Sequence, residues 1–174
     1  MRQNRKIESG QSLIEVVVAL GVVTALAVSL VATTLFVQRA SEGARNNTQA
    51  TKLVQQNIEQ IRIFRDRNAS GFDALPASGC YTLNTTNPNP AAWTLAGLSA
   101  CSPIPPAGSE AIILNNTTFS RWFSFASDSS TKKTVVVTVS WTDSGGVQQV
   151  VNWTFLSKPC SGQIGEGGGA SPCP

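Results

Sequence analysis

The feature that most constrains this chain is a stretch with no charge in it. After Glu15 the next charged residue is Arg39, and the run from Val16 to Val37 between them is dominated by Val, Leu and Ala. A helix of about 20 apolar residues spans the hydrocarbon core of a bilayer, at a rise of about 1.5 Å per residue. No polar stripe crosses the run. Its few polar positions, Thr24, Ser29, Thr33 and Thr34, are of the kind that bond back to carbonyls of their own helix. The run reads as a transmembrane helix with one anomaly. Glu15 sits near its first turn, where a carboxylate in hydrocarbon is costly unless paired.

A basic leader precedes the run: Arg2, Arg5 and Lys6, opposed only by Glu8. A secretory signal places its apolar core before the cleavage site. Here the small residues Ser9 and Gly10 come first, so the apolar helix survives a cut at that point. Basic flanks stay cytoplasmic, which places the C-terminal part outside.

Ser9-Gly10 followed by Gln11-Ser12-Leu13-Ile14-Glu15-Val16-Val17-Val18-Ala19-Leu20 closely resembles the type IV prepilin cleavage and methylation segment. In that family a prepilin peptidase cuts after the glycine, the new amino terminus is N-methylated, and the apolar helix builds the filament core. The resemblance implies a cut between Gly10 and Gln11, methylation of Gln11, and an assembly role for Glu15. The family most often has phenylalanine at the position of Gln11. It also implies the partners: other pilin-like subunits, the peptidase, an inner-membrane assembly platform, and membrane lipid before assembly. The physical chemistry agrees. A cut after Gly10 creates an amine four residues before Glu15, able to neutralise that carboxylate in its own chain or a neighbour's. The alternative is an interfacial acid favoured by the helix dipole, on an ordinary uncleaved anchor.

From Gln38 to Asn68 the helix continues and becomes amphipathic. Ala50, Leu53, Val54, Ile58, Ile61 and Phe64 share a face at a period of 3.6, with Lys52, Gln55, Glu59 and Arg62 opposite. No proline occurs before Pro76. Gly43 is the weak point, at about 1 kcal/mol relative to alanine. A helix over 11–68 is roughly 87 Å long. Arg62, Arg65 and Arg67 suit its C-terminal dipole, and Ser70-Gly71 is expected to end it.

Residues 71–108 read as loop, with short strands at Cys80-Tyr81-Thr82-Leu83 and Trp93-Thr94-Leu95, because prolines at 88, 90, 103, 105 and 106 limit anything longer. Strands follow at Ala111–Leu114 and at 119–126, where Phe119, Phe123 and Phe125 share a side. The next strand, 133–141, points Val135, Val137, Val139 and Trp141 inward, and Thr134, Val136, Thr138 and Ser140 outward. Asp143-Ser144-Gly145-Gly146 turns the chain. The return strand, 147–156, is expected to point Val151, Trp153 and Phe155 inward. One apolar face per strand implies a sheet covered on one face, with the helix stripe as the cover. The segment Val137-Thr-Val-Ser-Trp-Thr-Asp-Ser-Gly-Gly146 also resembles the late hairpin of minor pilins and minor pseudopilins.

The expected fold is thus α+β: one long N-terminal helix packed on a C-terminal antiparallel sheet. Its parts are a leader over 1–10, a transmembrane and assembly half of the helix over 11–37, and an amphipathic half over 38–68. A globular β domain with the helix-to-sheet loop occupies 69–160, and a Gly-rich tail 161–174. The cysteines Cys80, Cys101, Cys160 and Cys173 allow three pairings. In an oxidising compartment the local pairing, Cys80–Cys101 and Cys160–Cys173, closes short loops at about 3 kcal/mol each in the loop-entropy model.

Several functions are disfavoured. The net charge is +3 and the first ten residues carry most of it, so there is no electrostatic footprint for nucleic acid. Charged residues are 13% of the chain, against about 25% in soluble proteins. Thr, Ser, Asn and Gln fill the polar positions, as suits an extracellular fibre component. There is no histidine, hence no common general base. Zinc has neither histidine nor a C-x-x-C spacing, and no cofactor is implied. Glu110, Asp128 and Asp143 are isolated acids, Asp143 serving its turn. Asp128-Ser-Ser-Thr is too short for a calcium loop, and Asn116-Thr117-Thr118 carries no assigned role. The expectation is a structural, non-enzymatic filament subunit, closer to a minor pilin or minor pseudopilin than to a major subunit. The alternatives are a pseudopilin of type II secretion or DNA uptake, and a membrane-anchored extracellular binding module or enzyme.

Overall fold

A computed structural model describes residues 11–76, 79–128 and 132–157. The first helix, α1 (Gln11–Arg67), is continuous and passes through two compact units, Met1–Arg45 and Asn46–Pro174.

In the first unit α1 exposes its apolar side chains all round, from Leu13 to Val37. Three of its threonines turn their hydroxyls inward along the helix. Thr24 donates to the Gly21 carbonyl at 2.9 Å, Thr33 to Ser29 at 2.8 Å and Thr34 to Leu30 at 2.8 Å. These three hydroxyls are therefore satisfied without water. It is long and apolar enough to cross a membrane.

In the second unit the same helix has one buried face. Ala50, Leu53, Val54, Ile58, Ile61 and Phe64 are all buried, as their spacing predicts. Asn57 lies on the same face and is buried with them. The helix stops at Arg67 rather than at Gly71. Asn68 still donates its backbone N–H to the Phe64 carbonyl at 2.8 Å, then caps a second helix, α2 (Ala69–Asp73). Its own carbonyl accepts from Phe72 N–H at 2.9 Å, and its Oδ1 accepts from Gly71 N–H at 3.0 Å. This is N-cap geometry. A side chain at Gly71 would collide with Asn68, since a Cβ there would stand 2.7 Å from Asn68 Oδ1. Gly71 therefore serves the cap instead of breaking the helix.

Six strands make one antiparallel sheet: β1 (Cys80–Asn84), β2 (Thr94–Leu98), β3 (Glu110–Leu114), β4 (Thr117–Asp128), β5 (Lys132–Asp143) and β6 (Gly146–Ser157). Their order is β2-β1-β4-β5-β6, with β3 also paired to β4. The long strand β4 shares one edge between β3 and β1 and gives the other to β5. Asparagine side chains build the β1–β2 connection. Asn84, Asn87 and Asn89 each accept, through Oδ1, the backbone N–H two residues on. Two-residue turns close the β3–β4 and β5–β6 hairpins. Asn115 and Asn116 take φ of 48° and 67°, the left-handed pair that a type I′ turn needs. In the last hairpin Asp143 Oδ1 accepts from Gly145 N–H at 2.8 Å and Gly146 holds φ at 103°.

The core lies between the α1 stripe and the inner sheet face. It contains Phe119, Phe123, Phe125, Val135, Val137, Val139 and Trp141, with Tyr81 and Leu83 from β1 and Phe72 from α2. Phe72 meets Phe125 edge to face at 5.9 Å. Burial raises the Tyr81 phenol above its ordinary 10.0.

Two expectations about the sheet are corrected. Val151, Trp153 and Phe155 do not face inward; all three are exposed on the outer face. The turn decides this. Pairing Asp143 with Gly146 places Gln148 opposite Trp141 and Val150 opposite Val139, so Val150 packs on the core. β6 is apolar on both faces, and a one-residue change of register exchanges them. Nor is the sheet covered on one face alone. Trp122 and Ser140 point outward and are buried. Cys80, which alternates with the inward Tyr81, is bonded to Cys101, tying the loop over residues 99–109 to the outer face. Pro105 of that loop shares a cavity wall with Ser120 and Ser140.

Candidate assembly site

The expected site consists of a junction, a terminal residue and a carboxylate. Gly10 and the rest of the leader lie outside the described residues. Gln11 is the first residue of α1, and Glu15 stands one turn further on. Glu15 is exposed, as are Leu13, Ile14, Val16, Val17 and Val18 around it. Among the described residues it has no ion-pair partner. The geometry is that of a single carboxylate on an apolar rod, with no other charge before Arg39. A charge so placed can interact with lipid headgroups or with a cation from another chain.

Elsewhere the isolated acids stay apart. Glu110 pairs with Arg121, carboxylate Oε2 to guanidinium Nη2 at 2.7 Å and to Nε at 2.8 Å, and Arg121 Nη1 reaches Gln56 Oε1 on α1 at 3.5 Å. Asp143 is occupied by its turn. Asp128 lies opposite Lys133 in the β4–β5 ladder. No cluster of three or more His, Cys, Asp or Glu residues occurs among the described residues. At the helix end Arg62 pairs with Glu59 at 2.6 Å and Arg65 with Asp66 at 2.7 Å. Arg62 also reaches Thr154 Oγ1 on β6 at 3.5 Å.

Of the cysteines, Cys80 and Cys101 form the expected disulfide, with Cα atoms 5.5 Å apart. Cys160, Cys173 and the tail over 161–174 lie outside the described residues.

Lys133 escaped the sequence reading. It is 0% exposed, and its ammonium donates to three carbonyls at the end of α2: Phe72 at 3.0 Å, Asp73 at 3.0 Å and Leu75 at 2.9 Å. It also sits 5.4 Å from the Phe72 ring and 5.2 Å from the Phe125 ring, within cation–π range. The arrangement locks the helix-to-sheet turn onto β5. Parity carried the signal: Lys133 falls on the Val135, Val137, Val139 face, as Arg121 falls on the Phe119, Phe123 face. Both charges were bound to be inward once their neighbours were.

Comparison of the chain with protein families, with characterised proteins and with solved structures finds no match.

Proposed function

We propose that this chain is a structural subunit of a type IV pilus or a related filament. In this reading a prepilin peptidase removes residues 1–10, cutting between Gly10 and Gln11, and Gln11 is then methylated. The subunit leaves the lipid through an inner-membrane assembly platform and packs by α1 against other pilin-like subunits. It needs no cofactor and catalyses nothing. The observation that carries the reading is Glu15: one carboxylate at the start of an exposed stretch of α1 with no other charge before Arg39, five residues after the glycine of the junction.

Assembly of such helices depends on register. In lipid an apolar helix gains little from burying its surface against another, because lipid and helix are equally apolar. A carboxylate seeking a cation can select one axial offset, the one that brings Glu15 to the amine of a neighbour's Gln11. Breaking a buried pair by removing one partner costs about 3–5 kcal/mol. The Cys80–Cys101 bond supports an outward-facing second unit, since disulfides persist in oxidising compartments.

The test is Glu15→Ala, with protein measured in parallel in sheared-filament and membrane fractions. Insertion and cleavage should be spared while incorporation into filaments falls. Equal incorporation of mutant and wild type would remove the assembly role, leaving Glu15 as an interfacial acid on an ordinary anchor.

A further inference from the structure

The second unit exposes large apolar side chains at two edges of its sheet. At one edge, β6 exposes Val147, Val151, Trp153 and Phe155, the last two at 60% and 54%, with their rings edge to face at 5.2 Å. At the other, β3 exposes Ile113 at 72%. Ile112 lies opposite the buried Phe119 and Trp153 opposite Val136, so Ile113 and Trp153 both belong to the outer face. Among the described residues no strand pairs with the free side of β6, or with the side of β3 turned from β4. Such edges are ordinarily blunted by charge, proline or a bulge. β6 has none of these: twelve residues without charge or proline, paired to β5 with no shift of register.

We propose that the β6 edge docks on the β3 edge of a second copy of this chain, head to tail. The inference rests on the filament reading, in which all copies stand in one orientation. Three properties then match. β3, β4, β5 and β6 are antiparallel in succession, so β3 runs opposite to β6, and copies placed side by side meet as antiparallel strands. β2, the strand at the remaining edge, runs with β6 and would meet it parallel. The outer face is preserved across the junction, so Ile113 of the second copy extends the apolar row of Trp153 and Phe155. Neither strand brings a charge to the contact: residues 146–157 and 111–118 carry none, Glu110 is held by Arg121, and the neighbouring Lys132 ammonium is engaged 4.9 Å from the Phe155 ring centroid as a cation–π partner. A head-to-tail contact between unlike edges is heterologous, and where its rotation does not close a ring it continues as an open helical filament.

The area says where this contact holds. A fully buried aromatic contributes about 150–250 Å², so the β6 patch offers on the order of 300–400 Å² per copy. A stable interface in free solution buries about 800 Å² per partner. The strands therefore join only copies already concentrated by α1, and the test belongs in membranes and filaments.

A photoreactive benzophenone amino acid in place of Trp153, and separately of Phe155, in the full chain should yield a ladder of covalent multimers on illumination. Mass spectrometry should join the probe peptide to residues 110–118 of another copy. Ile113→Lys in the same chain should reduce the ladder at least tenfold. Linkage to β6 of the second copy, to lipid or to a different protein would overturn the proposal, as would sedimenting filaments with no link at either position. A ladder through β3 in membranes of cells that make no filament would uphold the strand contact and defeat the filament reading.

Discussion

Phe36 and Phe64 stand on the same helix, one in each unit. Phe36 is 73% exposed and Phe64 3%. The backbone around them is equally helical, so helix formation alone does not distinguish them. What differs is the medium each side of α1 is built for. Up to Val37 the helix is apolar all round, and its threonine hydroxyls are spent on its own carbonyls. That surface suits hydrocarbon or other such helices. Beyond Asn46 one stripe is apolar and the opposite face carries Lys52, Gln55, Glu59 and Arg62, which suits a sheet on one side and water on the other. One element thus carries two kinds of surface: apolar all round in the first unit, long enough to cross a membrane, and a single stripe buried in the core in the second.

The comparison can be broken most directly by truncating the two phenylalanines. All four tryptophans, Trp93, Trp122, Trp141 and Trp153, lie in the second unit, so urea unfolding of the detergent-solubilised chain, followed by tryptophan fluorescence, reports that unit alone. Phe64→Ala should cost it about 3–5 kcal/mol, as large-to-small core substitutions do. Phe36→Ala should leave the midpoint where it was. Equal shifts would mean that the first unit contributes to the stability of the second.

Lys133→Met comes next in size. Methionine keeps an apolar stem but strips three carbonyls at the end of α2 of their donor. Hydrogen bonds to charged groups contribute about 1.5–3 kcal/mol each way, and a loss of about 3 kcal/mol is expected in the same assay. A change below about 1 kcal/mol would show that the apolar stem, rather than the ammonium, holds the turn.

The smallest effect belongs to the boundary between α1 and α2. Asn68→Ala removes one cap and should cost about 1 kcal/mol. Hydrogen exchange at the Gly71 amide should accelerate while exchange in the Ala50–Phe64 stretch stays slow. Acceleration along that whole stretch would mean that the cap supports α1 as well as α2.

Much of this architecture was legible from residue order alone. An uncharged run of bilayer length, a six-member stripe at a period of 3.6, the phenylalanines of β4 and the valines of β5 each carry a local period, and a local period survives without knowledge of partners. Asp143 and its glycines were legible as a turn for the same reason. Local pairing of Cys80 with Cys101 followed from their short separation in the chain. Glu15 was visible as a charge out of place, because hydrocarbon penalises it wherever its neighbours are.

Tertiary structure decided what a period could not. β6 carries apolar residues on both faces, Val147, Val151, Trp153 and Phe155 on one and Val150 and Leu156 on the other, and the larger set alone points the wrong way. The two-residue turn at Ser144 and Gly145 chose between them, sending Trp153 and Phe155 outward and Val150 inward. Lys133 and Arg121 were buried by the same parity that buried their apolar neighbours, and each is tolerated because a distant segment supplies its partners: the carbonyls of α2 for one, Glu110 and Gln56 for the other. Gly71 was a helix terminator by composition and the space for a cap by geometry. For β6, Lys133 and Arg121 the deciding contact depends on register or joins separate segments of the chain, and for Gly71 it depends on where the backbone turns, so each exists only once the chain has folded.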